Sequence, residues 1–142
     1  MIQRIQTVYL ALGAVALVGL LFTGVLWDGA AASAQGWFTP VVVALAGVSA
    51  AIAVGAIFLF KDRPKQRKVV ILAQLVTVVL MVSLFGGLYL ADALYIRTTQ
   101  GVDVTMLITL LLPLVAYLLF LLARRAVAKD IELVRSVDRL RD

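Results

Sequence analysis

The chain has 142 residues, of which 63% are apolar, 15% are charged and 8% are aromatic, and its formal net charge is +5. Water-soluble domains carry about 45–50% apolar and about 25% charged residues, so this composition is typical of a membrane protein. Because the sequence contains no His and no Cys, it excludes His- or Cys-ligated metal and haem sites, disulfides and Ser/His/Asp triads. We therefore expect no cofactor, no metal site and no enzymatic activity.

Four long stretches of the chain contain no ionisable residue, and each is long enough to cross a bilayer. A transmembrane helix needs roughly 20 apolar residues, because it rises about 1.5 Å per residue through a hydrocarbon core of about 30 Å. Transmembrane strands are excluded, since the stretches lack alternation of apolar and polar residues. The sequence predicts a single all-α domain, residues 1–142, in which an integral membrane four-helix bundle has spans at 7–27, 39–60, 69–91 and 104–123.

The first span is followed by a turn-prone loop of small and polar residues, 28–36. Ala32-Ser33-Ala34 resembles a signal-peptide cleavage site, but the preceding apolar stretch is longer than the 7–15 residues of a signal sequence. We therefore expect the first span to be retained, with cleavage as the alternative. Thr39 and Pro40 are a natural helix cap and first helical residue, so the second helix is predicted to start there.

Small residues recur every four positions in the second span, at Gly47, Ala51 and Gly55. This spacing places them on one face of a helix and lets another backbone approach closely. We expect that face to pack against a helix of the same chain. The alternatives are a partner subunit, in a homo-oligomer or with another membrane protein, and a chance spacing in an alanine-rich helix.

The remaining connections are short. Residues 61–68 form a compact charged hairpin whose Pro64 cannot continue a helix, and residues 92–103 form the last loop. In the fourth span, Pro113 lacks an N–H group and its ring crowds the carbonyl of Thr109, which predicts a static bend, with a moving hinge as the alternative.

The spans carry hydroxyl and amide side chains but no charge, whereas a transporter or proton pump normally places an ionisable group in the membrane. We expect the Ser and Thr hydroxyls to bond their own helices and Gln74 to bond a neighbouring helix. The alternative is a solute path around Gln74, Thr109 and Tyr117. The polar residues at depth are Ser49, Gln74, Thr77, Ser83, Thr109 and Tyr117.

Basic residues fall almost entirely on one side of the predicted membrane. Arg4, five residues of 61–68 and six of 124–141 lie on that side, and Arg97 alone lies on the other. By the positive-inside rule the first side is cytoplasmic, so both termini are predicted to be cytoplasmic. Since topology accounts for the basic residues, we expect the lipid bilayer, and no nucleic acid, to be the partner of this charge.

Residues 124–142 are predicted to extend the fourth helix as a cytoplasmic tail with apolar residues on one broad half of the helix. The arginines of such a tail are attracted to anionic headgroups. Interspersed acidic residues instead favour contact of the apolar half with protein.

Asp130 lies on the apolar half, and no cation lies three or four residues away. An unpaired charge near the membrane is costly. The sequence therefore predicts that Asp130 pairs with a distant cation and folds the tail back, while the alternative is a projecting helix with Asp130 hydrated. The candidate cations are Arg4, Lys61, Arg63, Lys65, Arg67 and Lys68.

The two ends of the chain, MIQRIQTVYL at 1–10 and RAVAKDIELVRSVDRLR at 125–141, resemble the signatures of a family of uncharacterised bacterial four-span membrane proteins, domain of unknown function 4293. The resemblance runs along the whole chain, although Ala128 stands where a basic or polar residue is expected. It implies a multi-pass protein of the bacterial inner (cytoplasmic) membrane. It also implies that the cytoplasmic face carries the recognition residues, for which the candidates are Arg4, Lys129, Asp130, Arg135, Asp138, Arg139 and Arg141.

The sequence thus favours a non-enzymatic membrane protein. We expect it to act as an accessory, scaffold or assembly component that uses its cytoplasmic face for protein contact. The alternative is a small-solute transporter or channel. A transporter requires a polar cavity at the membrane midplane, whereas a scaffold requires a filled core and an exposed interaction surface.

Overall fold

The computed structural model describes the backbone of residues 2–141 and the side chains of residues 5–141. It is almost entirely helical. The short β-strands β1 (Arg97–Thr98) and β2 (Gly101–Val102) pair antiparallel, with Arg97 opposite Val102 and Thr98 opposite Gly101. The helices are α1 (Ile2–Leu20), α2 (Val25–Asp28), α3 (Ala30–Ala34), α4 (Phe38–Ile57), α5 (Arg63–Leu90) and α6 (Val104–Arg141).

The four long helices form an up-and-down bundle. Each packs against the next one along the chain, and α6 closes the ring by packing against α1. Short connections favour this arrangement, because they place consecutive helices side by side and antiparallel. All four segments are long and apolar enough to cross a membrane. The predicted integral membrane four-helix bundle is therefore confirmed.

The alternation of helix direction gathers several segments at one end of the bundle, which we call the basic end. These are the start of α1, the connection from α4 to α5, and the tail of α6, residues 124–141. The opposite end carries α2, α3 and the β-hairpin.

Two glycines mark the tightest helix contacts in the interior. A Cβ atom added at Gly13 of α1 would overlap the ring of Phe120 on α6, and one added at Gly87 of α5 would overlap the ring of Phe38 on α4. Both rings are fully buried. Close contact between helices in a membrane depends on such small residues, because packing provides much of the attraction between them.

The expectation that Gly47, Ala51 and Gly55 pack against a helix of the same chain is wrong. All three residues are exposed, and a Cβ atom on Gly47 or Gly55 would meet nothing within 4 Å. At about 100° per residue, this stripe lies on the opposite side of α4 from the buried face. That face is itself built from small side chains, which give the close approach: Val42, Ala46, Ser49, Ala50, Ala53 and Ala56.

The predicted start of the second helix is also wrong in its details. Helix α4 begins at Phe38, and Trp37 occupies the cap position without a side-chain hydrogen bond. The Thr39 hydroxyl donates instead to the carbonyl oxygen of Leu26, at 2.5 Å. Phe38 is buried in the first turn of the helix, and Thr39 ties α4 to the end of the first span.

Most of the predicted charged hairpin is helical. Asp62 caps α5, its carboxylate accepting a hydrogen bond from the Lys65 N–H at 3.3 Å, and Pro64 lies in the first turn. Proline is tolerated there because the N–H groups of the first turn have no partner within the helix. The prediction that Pro64 interrupts the helix is therefore wrong, and α5 extends six residues beyond the apolar stretch that begins at residue 69.

Pro113 is buried inside α6, which continues on both sides of it from Val104 to Arg141. The expected bend at Pro113 stays a prediction. The tail does not fold back on the bundle, contrary to expectation, because the helix runs on without interruption past the end of the apolar span.

Candidate functional site at the basic end

An ion pair joins the tail to the beginning of α5. Arg63 Nε lies 2.5 Å from Asp130 Oδ2, and the Asp130 side chain is only 12% exposed. The cap at Asp62 fixes the start of α5 and so places Arg63 in its first turn, beside α6. The prediction that Asp130 pairs with a distant cation is confirmed. Within the part of the chain that the structure describes, this is the only ion pair.

Only one of the candidate cations meets Asp130. Lys61, Lys65, Arg67 and Lys68 lie outside ion-pair distance of it. The side chain of Arg4 lies outside the described residues. The choice of Arg63 follows from the antiparallel packing of α5 and α6, which brings the first turn of α5 level with residue 130.

Contact between the tail and the bundle ends close to this pair. Val127 and Asp130 are buried, Ile131 is half-buried, and every residue from 132 to 141 is exposed. The apolar half of the tail is expected to pack against protein. Within this chain it does so only as far as Ile131. Beyond it, an apolar ridge remains uncovered, formed by Leu133, Val137 and Leu140, which are 45%, 55% and 87% exposed.

The other predicted recognition residues of the tail are exposed: Lys129, Arg135, Asp138, Arg139 and Arg141. None of them forms an ion pair with another described residue. They are not gathered into one patch. Arg135 and Arg139 face α5 across a groove, whereas Lys129 borders a cavity of about 230 Å³ on the side of Leu133.

Three adjoining cavities, of about 450, 470 and 220 Å³, lie between the start of α5 and the tail. Ile131 and Arg135 line all three of them, and Arg67 lines two. We call this surface the basic groove; its basic residues are Lys61, Arg63, Arg67, Lys68, Arg135 and Arg139. Sequence reasoning missed it, although the charge of both segments is plain. The missing signal is the register that places the start of α5 beside the tail, so that Arg67 and Arg135 line the same cavities.

Two of the predicted polar side chains within the spans bond their own helices. Thr77 donates to the carbonyl oxygen of Ala73 at 2.8 Å, and Thr109 donates to that of Thr105 at 2.7 Å, as predicted. Ser49 does not bond its own helix. Its hydroxyl lies 2.7 Å from that of Thr77 and 3.1 Å from the Ala73 carbonyl oxygen, so it ties α4 to α5.

Gln74 does not make the predicted bond to a neighbouring helix. Its side chain is 3% exposed, and neither amide atom has a hydrogen-bond partner among the described residues. Thr109 is also buried and Tyr117 is half-buried. An unsatisfied buried amide is costly in an apolar environment, and Gln74 is a described glutamine of which both amide atoms lack a partner.

Sequence reasoning missed a second buried glutamine, Gln66, which lies in the charged segment. Its amide donates to the carbonyl oxygen of Ala56 at 2.9 Å, linking the first turns of α5 to the last turn of α4. The sequence predicted a hairpin here, but the segment is helical. A helix can bury the amide of Gln66 while the neighbouring side chains of Lys65, Arg67 and Lys68 stay exposed. The side chain at 66 faces inward while its neighbours face outward.

The described residues contain no group of three or more Asp or Glu side chains arranged to hold a metal ion. The basic groove presents guanidinium and ammonium groups around the apolar side chains of Ile131 and Ile71. Such a surface can bind anions and apolar chains.

Comparison with known proteins identifies the family. The model of a family described as Domain of unknown function (DUF4293) matches residues 2–140. Neither the curated proteins nor the solved structures include a match to the chain. The family match spans both signature ends of the sequence and all four spans, so the chain belongs to this family of unknown function.

Proposed function

We propose that this protein is a non-enzymatic accessory, scaffold or assembly component of a membrane system, and that the basic end binds another protein. The observation that carries the proposal is the apolar ridge on the tail. Its three side chains project beyond the bundle with no cover from the described residues. Burying a Leu or Val side chain stabilises a contact by about 1.5–3 kcal/mol, so the ridge offers affinity to a partner.

The charges around the ridge support a protein partner. Lys129 and Arg141 flank it, and Asp138 lies near its end, so both signs of charge surround an apolar centre. An apolar centre with a polar rim is the usual composition of a protein interface. A helix that only rests on anionic lipid gains nothing from the acidic residues.

The proposal is tested by placing a photo-activated cross-linking residue at Val137 in the native membrane. We expect one discrete product that contains a second protein. The matched control is Arg125, which is exposed on the same helix about two turns before Leu133 and should give no such product. Cross-links to lipid alone, or identical protein products from both positions, would contradict the assignment of the ridge.

The proposed location is the bacterial inner membrane with the basic end in the cytoplasm. The support is the charge count, since twelve of the thirteen basic residues belong to segments at the basic end. Single cysteines at Ser33 and Thr99, both exposed at the opposite end, should react with an impermeant thiol reagent in intact cells. A cysteine at the exposed Lys65 should not react. Gln66 is unsuitable as the control site, because it is buried.

A small-solute transporter or channel is the second candidate, and the unpartnered amide of Gln74 favours it. Swelling of proteoliposomes in a series of neutral solutes of increasing size distinguishes the two. If the protein is a scaffold, the proteoliposomes should swell at the same rate as liposomes without protein. Faster swelling that Gln74→Leu abolishes, and Leu75→Ala preserves, would replace the first proposal by the second, because Leu75 is exposed on the lipid side of α5.

A further inference from the structure

We propose that the basic groove binds an anionic phospholipid, with its phosphate between Arg67 and Arg135 and its acyl chains along α5. This inference does not rest on the proposed protein contact. Arg135 and Arg139 lie on a different side of α6 from the apolar ridge, so the groove and the ridge are separate surfaces of one helix.

Charge in the groove is strongly unbalanced. Six basic side chains line it, whereas its acidic side chains are Asp62 and Glu132. Arg63 is held by Asp130, but Arg67, Arg135 and Arg139 form no ion pair with any described residue. These three guanidinium groups line a single cavity of about 470 Å³ together with one carboxylate, that of Glu132, so three positive charges against one negative charge leave the cavity with an excess of positive charge.

Guanidinium groups favour a phosphate in particular. Their planar arrangement of N–H donors matches two phosphate oxygens at once, which an ammonium group cannot do. Two arginines on facing helices can therefore hold one phosphate from opposite sides. Two of the three cavities, at about 450 and 470 Å³, are within the range of about 300–1,000 Å³ that ligand sites usually have.

The apolar lining distinguishes a lipid from a free phosphate. Ile131 lines all three cavities, and Ile71 lines the one that reaches furthest along α5 toward the apolar span. At about 100° per residue, Arg67, Ile71, Leu75 and Val78 share one face of α5. Leu75 and Val78 are exposed. An acyl chain attached to a phosphate at Arg67 would therefore have a continuous apolar surface to follow into the membrane.

The test is native mass spectrometry of the intact protein in detergent, supplied with equal amounts of phosphatidylglycerol and phosphatidylcholine. We expect phosphatidylglycerol to be retained preferentially. Each basic residue contributes about a fivefold gain in affinity for anionic headgroups, so Arg67→Gln with Arg135→Gln should weaken retention about 30-fold. The matched control is Arg125→Gln with Lys129→Gln, which removes two exposed charges outside the groove and should leave retention unchanged.

Arg135→Gln alone covers the case in which the double variant does not fold, since Arg135 is exposed on the tail; a loss of about fivefold is expected. Equal retention of the two lipids would overturn the proposal. So would an equal loss in the control pair, which would show diffuse attraction to any basic surface. Displacement of the lipid by glycerol phosphate at equal concentration would instead identify a site for free phosphate and would also overturn it.

Discussion

The two faces of α4 differ in what covers them, although both consist of small residues. Ala46 and Ala53 are buried against neighbouring helices, whereas Gly47 and Gly55, on the other side, touch nothing. Helix α6 also has a covered part and an uncovered part. It packs against the bundle as far as Asp130, and its residues beyond Ile131 are exposed. Small size therefore permits close packing but does not select the face that packs.

Adding a side chain where a ring already lies should have the largest effect. Gly87→Leu places a bulky group onto Phe38, and the expected loss of stability is about 1–3 kcal/mol or more, because a filled core resists added volume. Thermal unfolding in detergent measures this loss.

Gly47→Leu is the matched control for that substitution. It makes the same chemical change on a helix of the same bundle, and it should leave the unfolding temperature of the monomer unchanged, because nothing lies within 4 Å. Equal losses for the two variants would mean that the stripe on α4 is covered after all. A change of oligomeric state in Gly47→Leu alone would identify a second copy as the cover.

Breaking the ion pair should have the next largest effect. Asp130→Ala leaves Arg63 beside α6 without its partner, and removing one member of a buried ion pair costs about 3–5 kcal/mol, whereas exposed pairs contribute about 0.2–1 kcal/mol. Because Arg63 is partly exposed, we expect a loss between these limits, of about 1–2 kcal/mol. The double variant with Arg63→Ala should be no less stable than Asp130→Ala alone. If the stability lost in the double variant equals the sum of the losses in the two single variants, the interaction between Arg63 and Asp130 contributes no stability.

These comparisons also show which features of the structure could be predicted from the sequence. The number of spans follows from hydropathy, because each apolar stretch must match the thickness of the membrane. The pairing of Asp130 follows from the absence of a cation three or four residues away on its own helix. The inward face of α4 could not be predicted, since the helix is apolar on all sides and gives no amphipathic signal. The basic groove required the register of α5 against α6, which neither segment encodes alone.

Replacing Gln74 by an apolar residue of similar size should raise stability. Both amide atoms lack partners among the described residues, and an unsatisfied buried polar group costs about 1–3 kcal/mol. Gln74→Leu should therefore unfold at a higher temperature than the parent, by an amount that corresponds to about 1 kcal/mol. A lower unfolding temperature would show that the amide is bonded in the membrane by water or solute, which would favour the transporter.

The smallest effect is expected where a buried hydroxyl joins two helices that already pack well. Ser49 lies on the covered face of α4, and its hydroxyl shares the Ala73 carbonyl oxygen with Thr77. Hydrogen bonds between transmembrane helices contribute on average about 0.6 kcal/mol. Ser49→Ala should therefore lower the unfolding temperature slightly, because Thr77 keeps its own bond to Ala73 and the face stays small enough for close contact. Ser49→Leu has the same loss of the hydroxyl but adds volume to the covered face, so it should cost several times more. If the two substitutions cost the same, the hydroxyl rather than the small size of residue 49 would be what holds α4 against α5.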